Sequence, residues 1–229
     1  QLKPVLINLV KQIKNSHVTV DTSLLQKPFP KQAQEAFSLA VLDKMGYDFD
    51  AGRLDETIHP FAIGINPNDV RVTTRYDEND FRTAVFGTIH EGGHALYEQN
   101  IDPDLHQTVL SKGASMGIHE SQSLFWENFI GRSRSFWESH FNLFKEHAPD
   151  SFQSVDFDEF FKAINEVKPS MIRIEADELT YSLHIIIRYE LEKELINGDL
   201  KVKDLPKAWN DKMEAYLGIR PENDLEGVL

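Results

Sequence analysis

The sequence predicts a mainly α-helical protein with one small β-hairpin, and three observations support this fold class. Apolar residues recur at three- and four-residue spacings through most of the 229 positions, as they do in amphipathic helices. Residues 58–76 instead contain Pro-bounded, β-branched segments around an Asn-Pro-Asn-Asp turn, which is typical of a hairpin. An H-E-x-x-H sequence begins at His90, shortly after that hairpin. We therefore expect the hairpin to lie beside the helix that carries this motif.

The composition restricts the partners and the location of the protein. The formal net charge is −13 at pH 7, which argues against nucleic acid or an anionic membrane as a partner. The chain contains no cysteine, so disulfides and thiolate metal sites are excluded and a cytoplasmic protein is expected. No apolar run approaches the roughly 18 residues of a transmembrane span. The length is compatible with one large or two small domains.

Two helices are predicted before the hairpin. Residues 2–14 place apolar side chains at helical spacing. A Lys-Pro-Phe-Pro turn precedes a second helical segment that ends at Gly46, a residue suited to a left-handed C-cap. Residues 48–55 are polar and are interpreted as a connection. The hairpin then leads into the motif helix, for which Asp77 or Asn79 is the expected N-cap.

The part of the chain after the motif predicts further helices. Residues 111–117 form a predicted loop, and a helix is expected from there to Gly131. Aromatic-rich segments at 136–144 and 157–161 are interpreted as core helices, because aromatic residues at helical spacing usually pack in a core. The sequence therefore predicts that these two segments carry structure and not a binding surface.

The longest predicted helix covers residues 171–196, and a last helix is expected over about 204–217. At helical spacing, one side of the longest helix carries a polar stripe made of Arg173, Asp177, Tyr181, His184 and Arg188. The stripe has two interpretations. It is a solvated face in which Arg173 and Asp177 form a weak surface pair, or it is a functional surface.

The H-E-x-x-H motif predicts a metal centre. His90 and His94 are four residues apart, so on a helix both imidazoles project from one face and reach the same ion. Glu91 then lies beside the ion, where a carboxylate takes a proton from an activated water molecule. The motif therefore predicts a zincin-like helical metallopeptidase in which Glu91 is the catalytic general base.

A catalytic zinc ion usually has three protein ligands, so one more is required. The metzincin pattern is excluded because Tyr97 and Asn100 occupy positions where it needs Gly and His. Glu120, on the next predicted helix, is the first candidate, and Glu127 on roughly the same face is a weaker one. Glu98 is expected to form a pair at the surface.

Five motifs in order resemble those of the carboxypeptidase Taq (M32) family of metallocarboxypeptidases. In that family they read H-P-F, D-x-R-x-T, H-E-x-x-H, H-E-S and I-R-x-x-A-D. The matching residues here are His59-Pro60-Phe61; Asp69, Arg71 and Thr73; His90, Glu91 and His94; His119-Glu120-Ser121; and Ile172, Arg173, Ala176 and Asp177.

The resemblance implies a mostly helical, homodimeric carboxypeptidase that uses Zn²⁺ or Co²⁺ and removes C-terminal residues from peptide substrates. It implies that His90, His94 and Glu120 bind the metal and that Glu91 is the general base. It also implies a substrate groove lined by the side chains of His59, Asp69, Arg71 and Thr73. Arg173 is the candidate for binding the substrate carboxylate, with Arg71 and, less favoured, Arg220 as alternatives. Tyr181 and His184 are further candidates for substrate binding.

The resemblance also exposes a difference from the family. Family members are about twice as long and carry a C-terminal G-x-x-Q-D-x-H-W motif, of which residues 227–229 would be the first three. We therefore expect residues 1–229 to be the metal-site portion of a larger helical domain, truncated at both ends. Two alternatives stay open: a zinc oligopeptidase or aminopeptidase, and a catalytically inert metal-binding fragment.

Overall fold

The computed structural model describes residues 1–228, which divide into two compact units. The larger unit comprises Asp21–Ile164, and the smaller unit comprises Gln1–Val20 together with the residues from Asn165 onward. The larger unit contains all of the H-E-x-x-H region, and the smaller unit contains Arg173 and the longest helix. Each unit has its own hydrophobic core.

Five α-helices and one π-helical segment form most of the larger unit. A second helix ending at Gly46 was predicted, and this is confirmed, because Gly46 has the left-handed φ of 90° that ends such helices. The predicted aromatic core helices are also confirmed. The helices are α2 (Lys31–Met45), α3 (Arg82–Gln99), α4 (Met116–Leu124), α5 (Arg134–His147) and α6 (Phe157–Ile164), and the π-helix is Phe125–Gly131.

The predicted hairpin is confirmed and belongs to a three-stranded sheet. Strands β2 (Ala62–Asn66) and β3 (Asp69–Thr74) pair antiparallel around the predicted turn. A third strand, β1 (Leu54–Glu56), pairs parallel with β3, so the strand order is β1-β3-β2. The interpretation of residues 48–55 as a polar connection was therefore wrong for Leu54 and Asp55, which belong to β1. The alternating side chains Val70 and Val72 of β3 are fully buried, which fixes the register of the sheet.

The two glycines inside the motif set how closely α3 packs. A Cβ atom on Gly92 would lie 2.8 Å from both Leu42 and Met45 of α2. A Cβ atom on Gly93 would lie 2.8 Å from the Cα of Ser123 and 3.0 Å from the carbonyl oxygen of Gln122, both in α4. Each distance is too short for a real side chain, so α2 and α4 approach the backbone of α3 directly.

The N-cap predicted for α3 was wrong. The Asp77 carboxylate accepts a hydrogen bond from the backbone N–H of Asn79, which lies three residues before the first helical residue, Arg82. The Asp80 carboxylate accepts from the N–H of Arg82, the first helical residue, at 3.1 Å. An extra turn therefore separates the sheet from α3, and the ring of Phe81 enters the core at this point.

Phenylalanine rings dominate the core of the larger unit. Their centroids lie about 5–6 Å apart in tilted or edge-to-face geometries, which are the favourable arrangements for aromatic pairs. The ring of Trp137 packs among them and its indole N–H donates to the carbonyl oxygen of Gly131 at 2.7 Å. The fully buried rings include Phe29, Phe37, Phe81, Phe144, Phe152 and Phe160.

Three helices form the smaller unit: α1 (Leu2–Asn15), α7 (Glu178–Asn197) and α8 (Leu205–Leu217). The first and last were predicted with nearly these bounds and are confirmed. The longest helix was predicted to begin at residue 171, and this was wrong. Its N-cap is Asp177, whose carboxylate accepts from the N–H groups of Leu179 and Thr180 at 3.0 and 2.9 Å. Arg173 lies before the helix, in a single 3₁₀ turn.

This later start divides the predicted polar stripe. Tyr181, His184 and Arg188 lie on α7, but Arg173 does not belong to the same helical face. The predicted match to the C-terminal motif ends at Leu229, which lies outside the described residues. Within residues 1–228, no helix has the length and apolarity needed to cross a lipid bilayer.

Candidate metal centre

The helix α3 presents both motif histidines on one face. The ring centroids of His90 and His94 are 5.1 Å apart and the rings are nearly perpendicular. The His90 and His94 side chains keep 19% and 17% of their exposure, so both stay partly accessible from outside the core. This geometry follows from helical pitch, since residues four apart lie one above the other.

Glu120 of α4 faces these two imidazoles. Its Oε2 lies 3.3 Å from Nε2 of His94 and 3.7 Å from Nε2 of His90. One ligand atom from each of the three residues lies within 4.8 Å of the others. Ligands about 2.0–2.1 Å from a tetrahedral ion are about 3.3 Å apart, so the three donor atoms are close enough together to share one divalent ion after small side-chain movements.

The charge of Glu120 also suits a cation. The imidazole of His94, whose Nε2 lies 3.3 Å from the carboxylate, and the nearby imidazole of His90 lower the pKa of Glu120 to about 2, although burial opposes this shift. The side chain is therefore ionised at neutral pH. Two imidazoles and one carboxylate form a donor set typical of catalytic zinc sites.

Glu127 lies behind His90 and does not join the three-residue group. It lies on the π-helical segment, and its Oε2 is 2.8 Å from Nδ1 of His90. Its Oε1 is 3.4 Å from the guanidinium of Arg132. Burial raises the pKa of Glu127, but the bonds with His90 and Arg132 outweigh it and lower the pKa. Carboxylates in this position orient metal-binding imidazoles.

His94 has a corresponding partner that sequence analysis missed. Its Nδ1 lies 2.6 Å from Nδ1 of His119, and Nε2 of His119 lies 2.6 Å from Oε1 of Glu98. The prediction that Glu98 forms a surface pair was wrong, because its partner is this half-buried imidazole. The signal was present in the sequence: His119 directly precedes the candidate ligand Glu120 in the H-E-S motif.

Glu91 is buried beside the centre, with 8% of its surface exposed. Burial raises the pKa of Glu91, while the two imidazoles and a backbone hydrogen bond from Ala62 of β2 oppose the shift. A carboxylate with a raised pKa holds a proton more readily than one in water, which suits an acid-base role. The edge strand β2 therefore lies directly beside this carboxylate.

The predicted substrate residues of the larger unit lie on and around this sheet. The Thr73 hydroxyl accepts from the N–H of Phe61 at 2.8 Å and donates to its carbonyl oxygen at 2.9 Å. This contact fixes the segment that contains His59, whose side chain is exposed. Asp69 and Arg71 form an exposed ion pair of 2.8 Å on β3. Thr73 is thus in part a structural residue.

The other predicted substrate residues lie in the smaller unit. The guanidinium of Arg173 donates to the hydroxyl of Tyr181 at 2.9 Å. His184 is completely buried. Burial and the neighbouring cation of Arg188 lower the pKa of His184 to about 4, so its imidazole is neutral at physiological pH.

A helical fold with an H-E-x-x-H helix, a glutamate from the following helix and a small adjacent sheet defines the zincin-like class. Comparison with known proteins gives the family. The family model for "Carboxypeptidase Taq (M32) metallopeptidase" matches residues 1–229. The chain belongs to this family.

Named relatives agree with the family match. Carboxypeptidase 1 of Bacillus subtilis (strain 168) is 60% identical over 229 residues, and Thermostable carboxypeptidase 1 of Thermus thermophilus is 48% identical over 229 residues. The crystal structure of the M32 carboxypeptidase from Deinococcus radiodurans R1 superposes with a TM-score of 0.94 at 43% identity, covering 99% of this chain and 45% of that one. The two curated relatives are matched over 100% of this chain but only 46% and 45% of their own lengths. The chain therefore spans about half the length of these relatives.

Proposed function

We propose that the whole protein is a divalent-metal carboxypeptidase that hydrolyses the C-terminal peptide bond of peptides. The observation that carries this proposal is the convergence of His90, His94 and Glu120 beside the buried Glu91. The family membership supports the reaction class, and the carboxypeptidase names of the relatives support the position of cleavage.

In this proposal His90, His94 and Glu120 hold the metal, and zinc or cobalt is the expected ion because both accept mixed nitrogen and oxygen ligands. When bound, the ion would polarise the scissile carbonyl and lower the pKa of a water molecule. Glu91 takes a proton from the attacking water, whose oxygen bonds to the carbonyl carbon, and gives that proton to the amine that leaves as the C–N bond breaks. The burial of Glu91 supports this role, because burial raises the pKa of the carboxyl group and the carboxylate then accepts a proton more readily.

A carboxypeptidase must also bind the free carboxylate of its substrate, for which a guanidinium group is well suited. Three arginines were candidates. Arg71 is paired with Asp69, and Arg220 with Asp211 and Glu214. The described contact of Arg173, in contrast, is to the neutral hydroxyl of Tyr181. This difference favours Arg173, since a guanidinium not already neutralised by a carboxylate is available to an anionic group.

The remaining parts of the proposal rest on the resemblance and on composition. His59, Asp69, Arg71, Thr73 and Tyr181 are proposed to line the substrate groove, and the buried His184 is proposed to support it from behind. A homodimer is proposed from the resemblance alone. A cytoplasmic location is supported by the absence of cysteine.

Peptides blocked at one end test the proposed cleavage position in the whole protein. Amidation of the C-terminus should abolish most cleavage, because losing an arginine–carboxylate pair costs on the order of 2–5 kcal/mol. Acetylation of the N-terminus should have little effect. Equal cleavage of amidated and free peptides would identify an endopeptidase, and loss of cleavage on acetylation would identify an aminopeptidase.

Substitution of Glu91 tests the proposed base. Glu91→Gln should reduce turnover by several orders of magnitude while the protein keeps its full complement of metal, because it removes a base and not a ligand. Metal content and turnover are measured on the same preparation. Glu120→Ala is the matched variant and should lose metal as well as turnover.

A further inference from the structure

The imidazole of His94 is held by a chain of two contacts that ends at a carboxylate. The distances are 2.6 Å between Nδ1 of His94 and Nδ1 of His119, and 2.6 Å between Nε2 of His119 and Oε1 of Glu98. Both lie within hydrogen-bonding range. His119 and Glu98 keep only 25% and 21% of their side-chain exposure, so water competes weakly for these bonds.

The carboxylate fixes the direction of every proton in this chain. A carboxylate accepts hydrogen bonds, so Nε2–H of His119 donates to Glu98. Nδ1 of His119 then carries the lone pair of the ring and accepts the Nδ1–H of His94. This leaves Nε2 of His94 without a proton, and Nε2 is the atom that faces Glu120. The chain therefore selects the tautomer of His94 that can bind a metal ion.

Surrounding groups hold the ring of His119 in this position. The ring of Tyr97 packs edge-on against it, with centroids 5.1 Å apart. The backbone of Gly113 approaches both rings so closely that a Cβ atom there would lie 2.8 Å from Cδ2 of the imidazole and 3.2 Å from Cε1 of Tyr97. The backbone N–H of His119 donates to the carbonyl oxygen of Ser115 in the first turn of α4, which fixes the main chain that carries the ring. The ring is thus fixed by packing as well as by hydrogen bonds.

We propose that His119 is a positioning residue for His94, and that Glu98 acts on the metal centre only through His119. The inference rests on the proposed metal centre and goes beyond it by assigning a role to two residues that are not ligands. Its general basis is that groups bonded to the outer nitrogen of a metal-binding histidine fix its tautomer and ring orientation.

Two substitutions of His119 separate hydrogen bonding from shape. In His119→Asn, the side-chain Oδ1 takes the place of Nδ1 and still accepts the N–H of His94. In His119→Phe, the ring volume against Tyr97 is kept, but both nitrogen atoms are lost. Glu98→Ala removes the end of the chain. His140→Ala is the control, because His140 contacts Phe136 on α5 instead of the metal-site residues.

The measurements are made on the whole protein with Co²⁺ as the probe. The dissociation constant is obtained by competition with a chelator, and visible absorption reports the ligand field of the bound ion. We expect His119→Phe to weaken Co²⁺ binding by about 10–100-fold and to shift its absorption. His119→Asn should recover most of the affinity. Glu98→Ala should have a smaller effect, and should have none in the His119→Phe background.

Unchanged affinity and absorption in His119→Phe would overturn the inference, as would His119→Asn binding no better than His119→Phe. Unfolding measured with chelator present shows whether His119→Phe folds. If it does not fold, Glu98→Ala provides the test, and wild-type Co²⁺ affinity in Glu98→Ala would also overturn the inference. If the unaltered protein does not bind Co²⁺, or if His90→Ala binds it equally well, the proposed metal centre itself is wrong. This result is seen without any change at His119 or Glu98, so it is distinguishable from a failure of the inference about His119.

Discussion

The two imidazoles of the centre are supported in different ways. His90 bonds directly to a carboxylate, Glu127, which is held by the well-buried Arg132. His94 reaches its carboxylate, Glu98, through a second imidazole. The guanidinium of Arg132 also stacks on the ring of Phe86, 4.0 Å from its centroid. The His90 side is therefore part of the folded core, whereas the His94 side joins α3, α4 and a loop. Substitutions around His90 should therefore reduce the folding stability, and substitutions around His94 should mainly reduce the metal affinity.

The largest effect is expected from Glu127→Ala. It leaves the N–H of His90 and the cation of Arg132 without this carboxylate, in a region where Arg132 keeps only 10% of its side-chain exposure. Breaking a buried pair in this way costs about 3 kcal/mol of folding stability. Urea unfolding of the metal-free protein measures the loss. Glu127→Gln, which keeps an accepting oxygen for the N–H of His90, should lose less, and equal losses would show that the charge opposite Arg132, and not the accepting oxygen, stabilises this region.

Gly93→Ala should have the next largest effect. The new methyl group would meet the backbone of Ser123 and Gln122, which cannot move without shifting α4 and with it Glu120 and His119. Overpacking of this kind costs about 1–3 kcal/mol. The matched variant is Gly92→Ala, whose methyl group meets the flexible ends of Leu42 and Met45. Metal affinity should fall in Gly93→Ala and change little in Gly92→Ala. The reverse order would show that α4 adjusts more easily than α2.

Gly113→Ala tests the His94 side without removing any polar group. Its methyl group would lie 2.8 Å from the imidazole of His119, so the ring must tilt. We expect metal affinity to fall by up to about tenfold, while the unfolding free energy changes by less than about 0.5 kcal/mol because Gly113 is in a loop. A loss of stability without a loss of metal affinity would place this position among ordinary packing sites.

The smallest effect on the metal is expected from Glu190→Gln in the smaller unit, which serves as a control. Burial raises the pKa of Glu190, but hydrogen bonds from Lys3, Tyr216 and Lys212 outweigh it and lower the pKa to about 2. A lowered pKa in the folded state stabilises the protein above the unfolded value near 4.3, and this stabilisation is lost as the pH falls toward 2. The variant should lose up to about 1 kcal/mol at pH 7, with less difference at pH 2–3, and should bind metal as the wild type does.

The fold could be predicted where local patterns decide it. Helices α1, α2 and α8, the hairpin and the aromatic helices follow from periodicity and from turn or cap residues in their own segments. The short strand β1 could not be predicted, because three residues carry no periodicity and its pairing partner is the distant β3. The start of α7 was misplaced because apolar residues continue through 171–174 at compatible spacing, while the carboxylate of Asp177 caps the helix later.

In the metal centre too, the features set by local sequence could be predicted and those set by tertiary packing could not. Helical pitch alone predicts that His90 and His94 share a face, and a carboxylate on the next helix was the natural third candidate. The links from His119 to Glu98 and from Glu127 to Arg132 depend on how α3 and α4 pack, and that packing is set by Gly93. Spacing in the sequence does not encode such contacts. A histidine beside a predicted ligand was nevertheless a signal that could have been followed.

The π-helical segment Phe125–Gly131 has a consequence for how this region tolerates changes in length. Such a segment holds one more residue than the α-helical ladder accommodates. One residue rotates everything beyond it by about 100°. Deleting a residue before Glu127 in this segment would therefore leave a more regular helix and yet turn Glu127 away from His90. In this stretch the metal centre depends on the number of residues as well as on their identity.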